Sequence, residues 1–300
     1  MRRYGIKLAA AVLILFCVAA AGCGRTDNGS RKKIIVGSKS FTESNLLAEI
    51  YSLALEDAGY QVERKFNIAG SIIHQAITSN EIDLYPEYTG TALLSVLNGP
   101  VMTGEEEVYR YVSKEYEDKY NLRWLEPSPL NDGQGLVIRT ETAVRYGIKS
   151  LSDLQKNADK IRFASQGDFD EREDGLPALE AVYGPFLFAS STVYDDSLKY
   201  DVLKNGQADV AVAYTTEGAL DSSDLMLLEE DKKVWPPYHA APVVREEILE
   251  EYPDMEQVLN NISDKLTTEE IIRLNRRVDI DKEEMEEAAL DYYNSSIKDK

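Results

Sequence analysis

Short β-branched runs alternate with stretches of helical spacing along most of the chain, and this alternation constrains the fold more than any other feature. Residues 33–37 (KIIVG) form an apolar run of the kind that makes a buried strand. Thr42 stands where a helix N-cap is expected, just before Glu43. Leu46, Leu47, Ile50, Ala54 and Ala58 then recur at helical spacing, and Gly59 supplies a stop. A strand is expected over 60–66, a helix carrying Ile72, Ile73, Ala76 and Ile77 after Gly70-Ser71, and a third strand over 81–85. The order βαβαβ implies a mostly parallel sheet covered by helices.

The pattern repeats downstream. Strands are expected at 135–139, 161–164, 192–194 and 209–214. Helices are expected from Ser150, over 176–183, and over 196–205 with Gly206 as the stop. After Trp235-Pro236-Pro237 the character changes. Thr267-x-x-Glu270 and Asp281-x-x-Glu284 each read as a capping box opening an acidic helix. The sequence therefore describes two α/β lobes and a helical tail.

Composition narrows the function. The 300 residues hold 33 Lys and Arg against 53 Asp and Glu, a net charge of −20, which argues against nucleic acid as a partner because a phosphate backbone needs a basic face. Two Cys and two His leave little for a disulfide framework or a metal site. No G-x-S-x-G, G-x-x-x-x-G-K-[ST] or H-E-x-x-H is present, so neither an enzyme nor a bound cofactor or metal is expected. His74 and His239 lack a motif and read as packing or surface residues. The 170–175 segment mimics a calcium loop but has Arg172 and Ala181 where ligands are needed. The acidic runs near 246–251 and 283–287 read as solvated helix faces. Tyrosine is in excess, with 18 Tyr against 7 Phe and 2 Trp.

The first residues form an address. Arg2, Arg3 and Lys7 precede an apolar run over 8–21, too short for a comfortable membrane span. Ala20-Ala21-Gly22-Cys23 resembles the end of a bacterial lipoprotein signal, with Cys23 the lipidated N-terminus. Cleavage there leaves a net charge of −23, and 23–32 reads as a tether. The expected location is outside the cytoplasm, anchored to the membrane.

Five segments, in order, are similar to the osmoprotectant-binding proteins of ABC importers, the glycine betaine/choline/carnitine family. They are Gly37-Ser38-Lys39-Ser40-Phe41-Thr42-Glu43-Ser44, Asp83-Leu84-Tyr85-Pro86-Glu87-Tyr88-Thr89-Gly90-Thr91, Arg172-Glu173-Asp174-Gly175-Leu176, Ala213-Tyr214-Thr215-Thr216-Glu217-Gly218, and Pro236-Pro237-Tyr238-His239-Ala240-Ala241-Pro242-Val243-Val244-Arg245. The resemblance implies a two-lobed, clamshell type II periplasmic-binding-protein fold with two chain crossings. Lobe 1 is expected over 33–132 plus 236–300 and lobe 2 over 133–235. It implies a quaternary-ammonium solute as ligand and a membrane permease as partner.

A quaternary ammonium has no N–H to donate, and aromatic faces suit it because the ring quadrupole attracts the charge while burying the methyl groups. By resemblance the ammonium cage comprises Tyr88, Tyr214 and Tyr238, with Asp132 lending charge. Gln134 stands where relatives commonly carry a fourth tyrosine, which opens one wall and admits a polar ligand group. The matching positions for a ligand carboxylate are Lys39, Thr91 and Arg172. Asn45 is a weaker candidate near the Lys39 loop. Tyr109, Tyr111, Tyr116 and Tyr120 are expected to be packing or surface residues. Two alternatives to a quaternary ligand for an importer stay open: the same fold taking a non-quaternary polar ligand, or serving as a sensor module.

Overall fold

Ile34 and Val36 are fully buried, as the first apolar run requires, and the strand they anchor organises one of two sheets. The computed structural model describes residues 33–167, 169–195 and 198–298; Cys23, the apolar leader and the tether lie outside the described residues. β1 (Lys33–Lys39) pairs in parallel with β2 (Gln61–Ile68) and with β3 (Leu84–Tyr88). β4 (Leu122–Trp124) and β10 (Ala240–Arg245) complete this sheet in the order β2-β1-β3-β10-β4. The second sheet has the order β7-β6-β8-β5-β9, built from β5 (Gln134–Arg139), β6 (Arg162–Gln166), β7 (Ser190–Tyr194), β8 (Val210–Tyr214) and β9 (Leu225–Leu227).

Both sheets are mixed rather than mostly parallel. β10 runs antiparallel to β3 and β4, and β5 runs antiparallel to β8 and β9. β10 and β5 are the strands that enter straight from the other sheet. With no crossover helix on their own sheet, nothing obliges them to run parallel to a neighbour.

Each sheet has its own core. Leu46, Leu47, Ile50 and Leu55 of the Thr42–Asp57 helix pack with Ile34, Val36 and Leu84, and the same cluster takes in Ile271, Leu274, Ala288 and Ala289 from the tail. The tail helices Thr268–Asp279 and Met285–Tyr292 are thus part of the first sheet's core. Leu136, Ile138, Leu154, Phe163 and Phe169 form the core of the second.

Local details depart from the sequence pattern in three places. Thr42 is not an N-cap: Phe41 holds that position, and the Thr42 hydroxyl donates to Asp279 Oδ1 at 2.5 Å. Asp281 does not open the last helix, because its N–H is spent on Arg276 O at the end of the preceding one, and the helix starts at Met285. The third strand covers Leu84–Tyr88, later than expected, because the Asp83 carboxylate is occupied outside it, accepting Ile35 N–H at 2.9 Å and pairing with Arg245. Thr267 and Ser150 do cap their helices, accepting from Glu270 N and Asp153 N.

The chain passes between the sheets twice, and the two passages lie side by side. Asn131 and His239 form an antiparallel bridge. Tyr238 N–H donates to Asn131 Oδ1 at 2.7 Å, and Asp132 N–H donates to Tyr238 O at 3.1 Å. Where the loop after β8 meets the tail, Gly218 comes so close that an added Cβ would lie 2.4 Å from Arg276 N. Only glycine fits there.

Candidate functional site

The late ending of β3 places Glu87 and Tyr88 at the edge where the two passages meet. Tyr88 is buried, and its hydroxyl donates to Glu43 Oε1 at 2.7 Å. Lys39, at the end of β1, is also buried. Its ammonium is ion-paired with Glu87 and sits 5.2 Å from the Tyr88 ring centroid. Glu87 also accepts the Tyr85 hydroxyl and the Tyr88 N–H. The family resemblance puts Lys39 and Tyr88 at opposite ends of a ligand; in the structure they touch.

Tyr238 is held by the passages. Thr89 and His239 exchange backbone and side-chain hydrogen bonds, and Thr89 Oγ1 donates to Pro237 O at 2.7 Å. The Tyr238 ring then lies against Gly90, where a Cβ would meet it at 2.6 Å. Burial raises the Tyr238 hydroxyl to about 12, and Asp174, Tyr214, Arg172 and Asp132 all act on it electrostatically. Asp132 acts on Tyr88 as well. Asp132 thus acts on both hydroxyls, after Glu43 on Tyr88 and after Asp174 on Tyr238.

In the second sheet Tyr214 ends β8 and is 46% exposed. Its N–H donates to Glu217 Oε2 at 3.2 Å. Glu217 is ion-paired with the buried Lys199 and accepts the Tyr200 hydroxyl. The Lys199 ammonium lies 5.8 Å from the Tyr214 ring centroid and 5.4 Å from that of Tyr200. Thr216 Oγ1 donates to Asp132 Oδ1 at 2.7 Å, and Thr215 Oγ1 donates to Asn131 O at 2.6 Å. These bonds tie the end of β8 to the first passage.

Gln134 and Arg172 close a polar triangle with Asp174. Gln134 Nε2 donates to Asp174 Oδ2 at 3.0 Å, Arg172 Nη2 donates to Gln134 Oε1 at 2.8 Å, and Arg172 is ion-paired with Asp174. Trp235 Nε1 donates to Asp174 O at 2.7 Å. Thr91 stands apart from this group, lining a separate cavity of about 430 Å³ with Glu87, His74 and Ser95. Asn45 accepts from Ser38 and donates to Asn67, bracing the loop rather than the cleft.

Glu43 is the site residue that sequence reasoning passed over. It is buried beside Asp132, and burial together with that second carboxylate pushes its carboxyl up to about 8. Burial also lifts Asp132, to about 6. A cavity of about 490 Å³ lies over this pair, lined by Phe41, Glu43, Asp132, Tyr214, Thr216 and Asn275, among others. Glu43 sits inside the quoted Gly37–Ser44 segment. An acidic residue in the first turn of a helix reads as dipole compensation, and nothing in the sequence says that tertiary packing will bury it.

A model of the substrate-binding domain of ABC-type glycine betaine transport systems matches residues 32–295. The chain belongs to this family. Members of the family are substrate-binding components of ABC transporters, working outside the cytoplasm with a membrane permease and a small ligand; the family is one of transport, not of enzymes. The chain is 32% identical over 87% of its length to the ergothioneine transport permease/ergothioneine binding protein EgtU of Helicobacter pylori, and spans 47% of that longer relative. It is 30% identical to the carnitine transport binding protein OpuCC of Listeria monocytogenes, over 93% of this chain and 92% of the relative. The solved structure of apo YehZ from Escherichia coli superposes with a TM-score of 0.78 at 30% identity, covering 88% of this chain and 98% of that one. The fold is thus the two-lobed α/β fold of periplasmic binding proteins. Among the described residues no helix is long and apolar enough to cross a membrane.

Proposed function

We propose that the cleft between the lobes captures a quaternary-ammonium solute of the glycine betaine, choline and carnitine class and hands it to the permease, and that Cys23 carries a lipid that keeps the protein at the membrane. The observation that carries this reading is the place of Asp132 among the tyrosine-bearing segments: its N–H donates to Tyr238 O, its carboxylate accepts from Thr216 in the loop that follows Tyr214, and it lines one cavity with Tyr214. Aromatic faces around one carboxylate suit a cation that has no N–H groups. The ligand's carboxylate turns toward Lys39 or Arg172, each of which releases part of its present acidic partner to take it. Contacts to both lobes then favour the closed form that the permease recognises.

Titration calorimetry over glycine betaine, choline and carnitine tests this. At least one binds, and Tyr238→Ala lowers that affinity by about 1–2 kcal/mol, the scale of a desolvated cation–π contact. No heat with any of the three, or an unchanged Tyr238→Ala, refutes the cage.

The Gln134–Arg172–Asp174 triangle favours a second reading within the same class, a betaine bearing an extra hydroxyl or amide for Gln134 to bond. Carnitine, for which the Listeria relative is named, has such a hydroxyl. Gln134→Tyr then shifts the carnitine-to-glycine-betaine affinity ratio toward glycine betaine by about tenfold, the value of one polar contact exchanged for an aromatic wall. An unmoved ratio removes Gln134 from the specificity.

A further inference from the structure

The cavity of about 490 Å³ beside Glu43 holds a chemical demand that a quaternary ammonium cannot meet. Four acidic side chains line it, Glu43, Asp132, Glu217 and Asp279, and no basic residue does. Glu217 is answered by Lys199. Among the described residues no basic side chain is ion-paired with Glu43, Asp132 or Asp279. Asn275 lines the same cavity at 4% exposure. Its Nδ2 donates to Thr216 O at 2.9 Å and Glu43 Oε2 at 3.3 Å, while its Oδ1 is buried without a partner. An unmet buried acceptor costs free energy until a donor arrives. Two aromatic rings that are unusually exposed for their size, Phe41 at 39% and Tyr214 at 46%, face the same space.

We propose that this cavity is a subsite for an N–H-bearing ammonium group, adjoining the tyrosine cage but chemically different from it. The aromatic faces attract any cation. The Asn275 Oδ1 acceptor selects one that can donate. A metal ion fits less well: among the described residues no three His, Cys, Asp or Glu side chains stand close enough to share one, so the carboxylates surround a space instead of converging on a point. The ammonium belongs either to a separate amine or to the far end of a longer betaine. The cavity shares Asp132 and Tyr214 with the proposed cage, so the inference rests on that reading of the site, and the response to Asn275→Leu separates its failure from the failure of the cage.

The test uses n-butylammonium as the amine and tetramethylammonium as the cation without N–H. Calorimetry shows n-butylammonium binding, weakened about tenfold by Asn275→Leu, the scale of a charge-assisted hydrogen bond, and several-fold by Asp279→Asn. Tetramethylammonium is insensitive to Asn275→Leu. If Asn275→Leu does not fold, judged by its thermal melt, Asp279→Asn at the cavity rim decides alone. Two arms separate the sources. n-Butylammonium binding that persists in saturating glycine betaine marks a separate amine. Nε-trimethyllysine binding more tightly than glycine betaine, with the advantage lost in Asn275→Leu, marks the far end of one ligand. If neither amine responds to either substitution, or tetramethylammonium responds equally, the subsite does not exist.

Discussion

The two lobes present the same device in different states of burial. In the first, Lys39 is ion-paired with Glu87, which accepts the Tyr88 N–H and the Tyr85 hydroxyl, and the lysine lies against the Tyr88 ring. In the second, Lys199 is ion-paired with Glu217, which accepts the Tyr214 N–H and the Tyr200 hydroxyl, and the lysine lies against the Tyr214 ring. Each unit uses a buried lysine–glutamate pair to fix a strand-end tyrosine. They differ in what the tyrosine faces. Tyr88 is 3% exposed with its hydroxyl on Glu43, whereas Tyr214 is 46% exposed. On the reading proposed above, the first half-site is finished before a ligand arrives, and the second, with aromatic surface still to bury, contributes more of the free energy that closes the lobes.

The largest effect that can break this comparison is on stability. Glu87→Ala leaves Lys39 buried without its carboxylate and lowers the unfolding free energy by about 3–5 kcal/mol. Glu217→Ala, at a more accessible pair, costs about 1–3 kcal/mol. Urea unfolding of both variants checks the order, and equal losses would mean that the two pairs are equally buried in solution.

The next effect is in pH, and belongs to the first half-site. The Glu43 carboxyl holds its proton to about 8 in the folded chain, against an ordinary value of 4.5. The unfolded chain loses that proton near 4.5, so ionisation favours unfolding as pH rises through this window. Ligand-free stability thus falls as pH rises between about 4.5 and 8, by several kcal/mol. Asp132, raised to about 6, adds to the fall in the lower part of the window. Glu43→Gln keeps the shape and removes most of the slope. A wild-type melting temperature that stays flat from pH 5 to 8 would contradict the burial assigned to Glu43, which faces Asp132, Tyr88, Thr216 and Asn275.

The smallest effect sharpens the comparison. Tyr214→Ala changes ligand-free stability by about 0.5 kcal/mol or less, as expected of an exposed side chain, yet weakens betaine binding by about 1–2 kcal/mol. Calorimetry beside a melt measures both, and a large stability loss would show that Tyr214 is structural like Tyr88.

Much of this fold was readable from residue order, and the reasons are local. The 176–183 helix falls where its apolar spacing puts it, and the Thr267 and Ser150 caps are made by side chains a turn away from the N–H they bond. The antiparallel entry of β5 and β10 was not readable, because it depends on which sheet the chain has just left. The expected tyrosines share a neighbourhood, but Thr91 lines another cavity, and Gln134 and Arg172 answer each other through Asp174.

Sequence alone determined the alternation of elements, the family motifs and the residue types that suit a betaine, since propensity, capping and side-chain chemistry act over a few residues. Only the tertiary structure decided that Glu43 is buried against Asp132, that Lys39 already rests on Tyr88, and that Asn275 offers an unmet acceptor from 232 positions further along the chain than Glu43. Burial sets the strength of a charge or a hydrogen bond, and burial is a property of residues that meet only when the chain has folded.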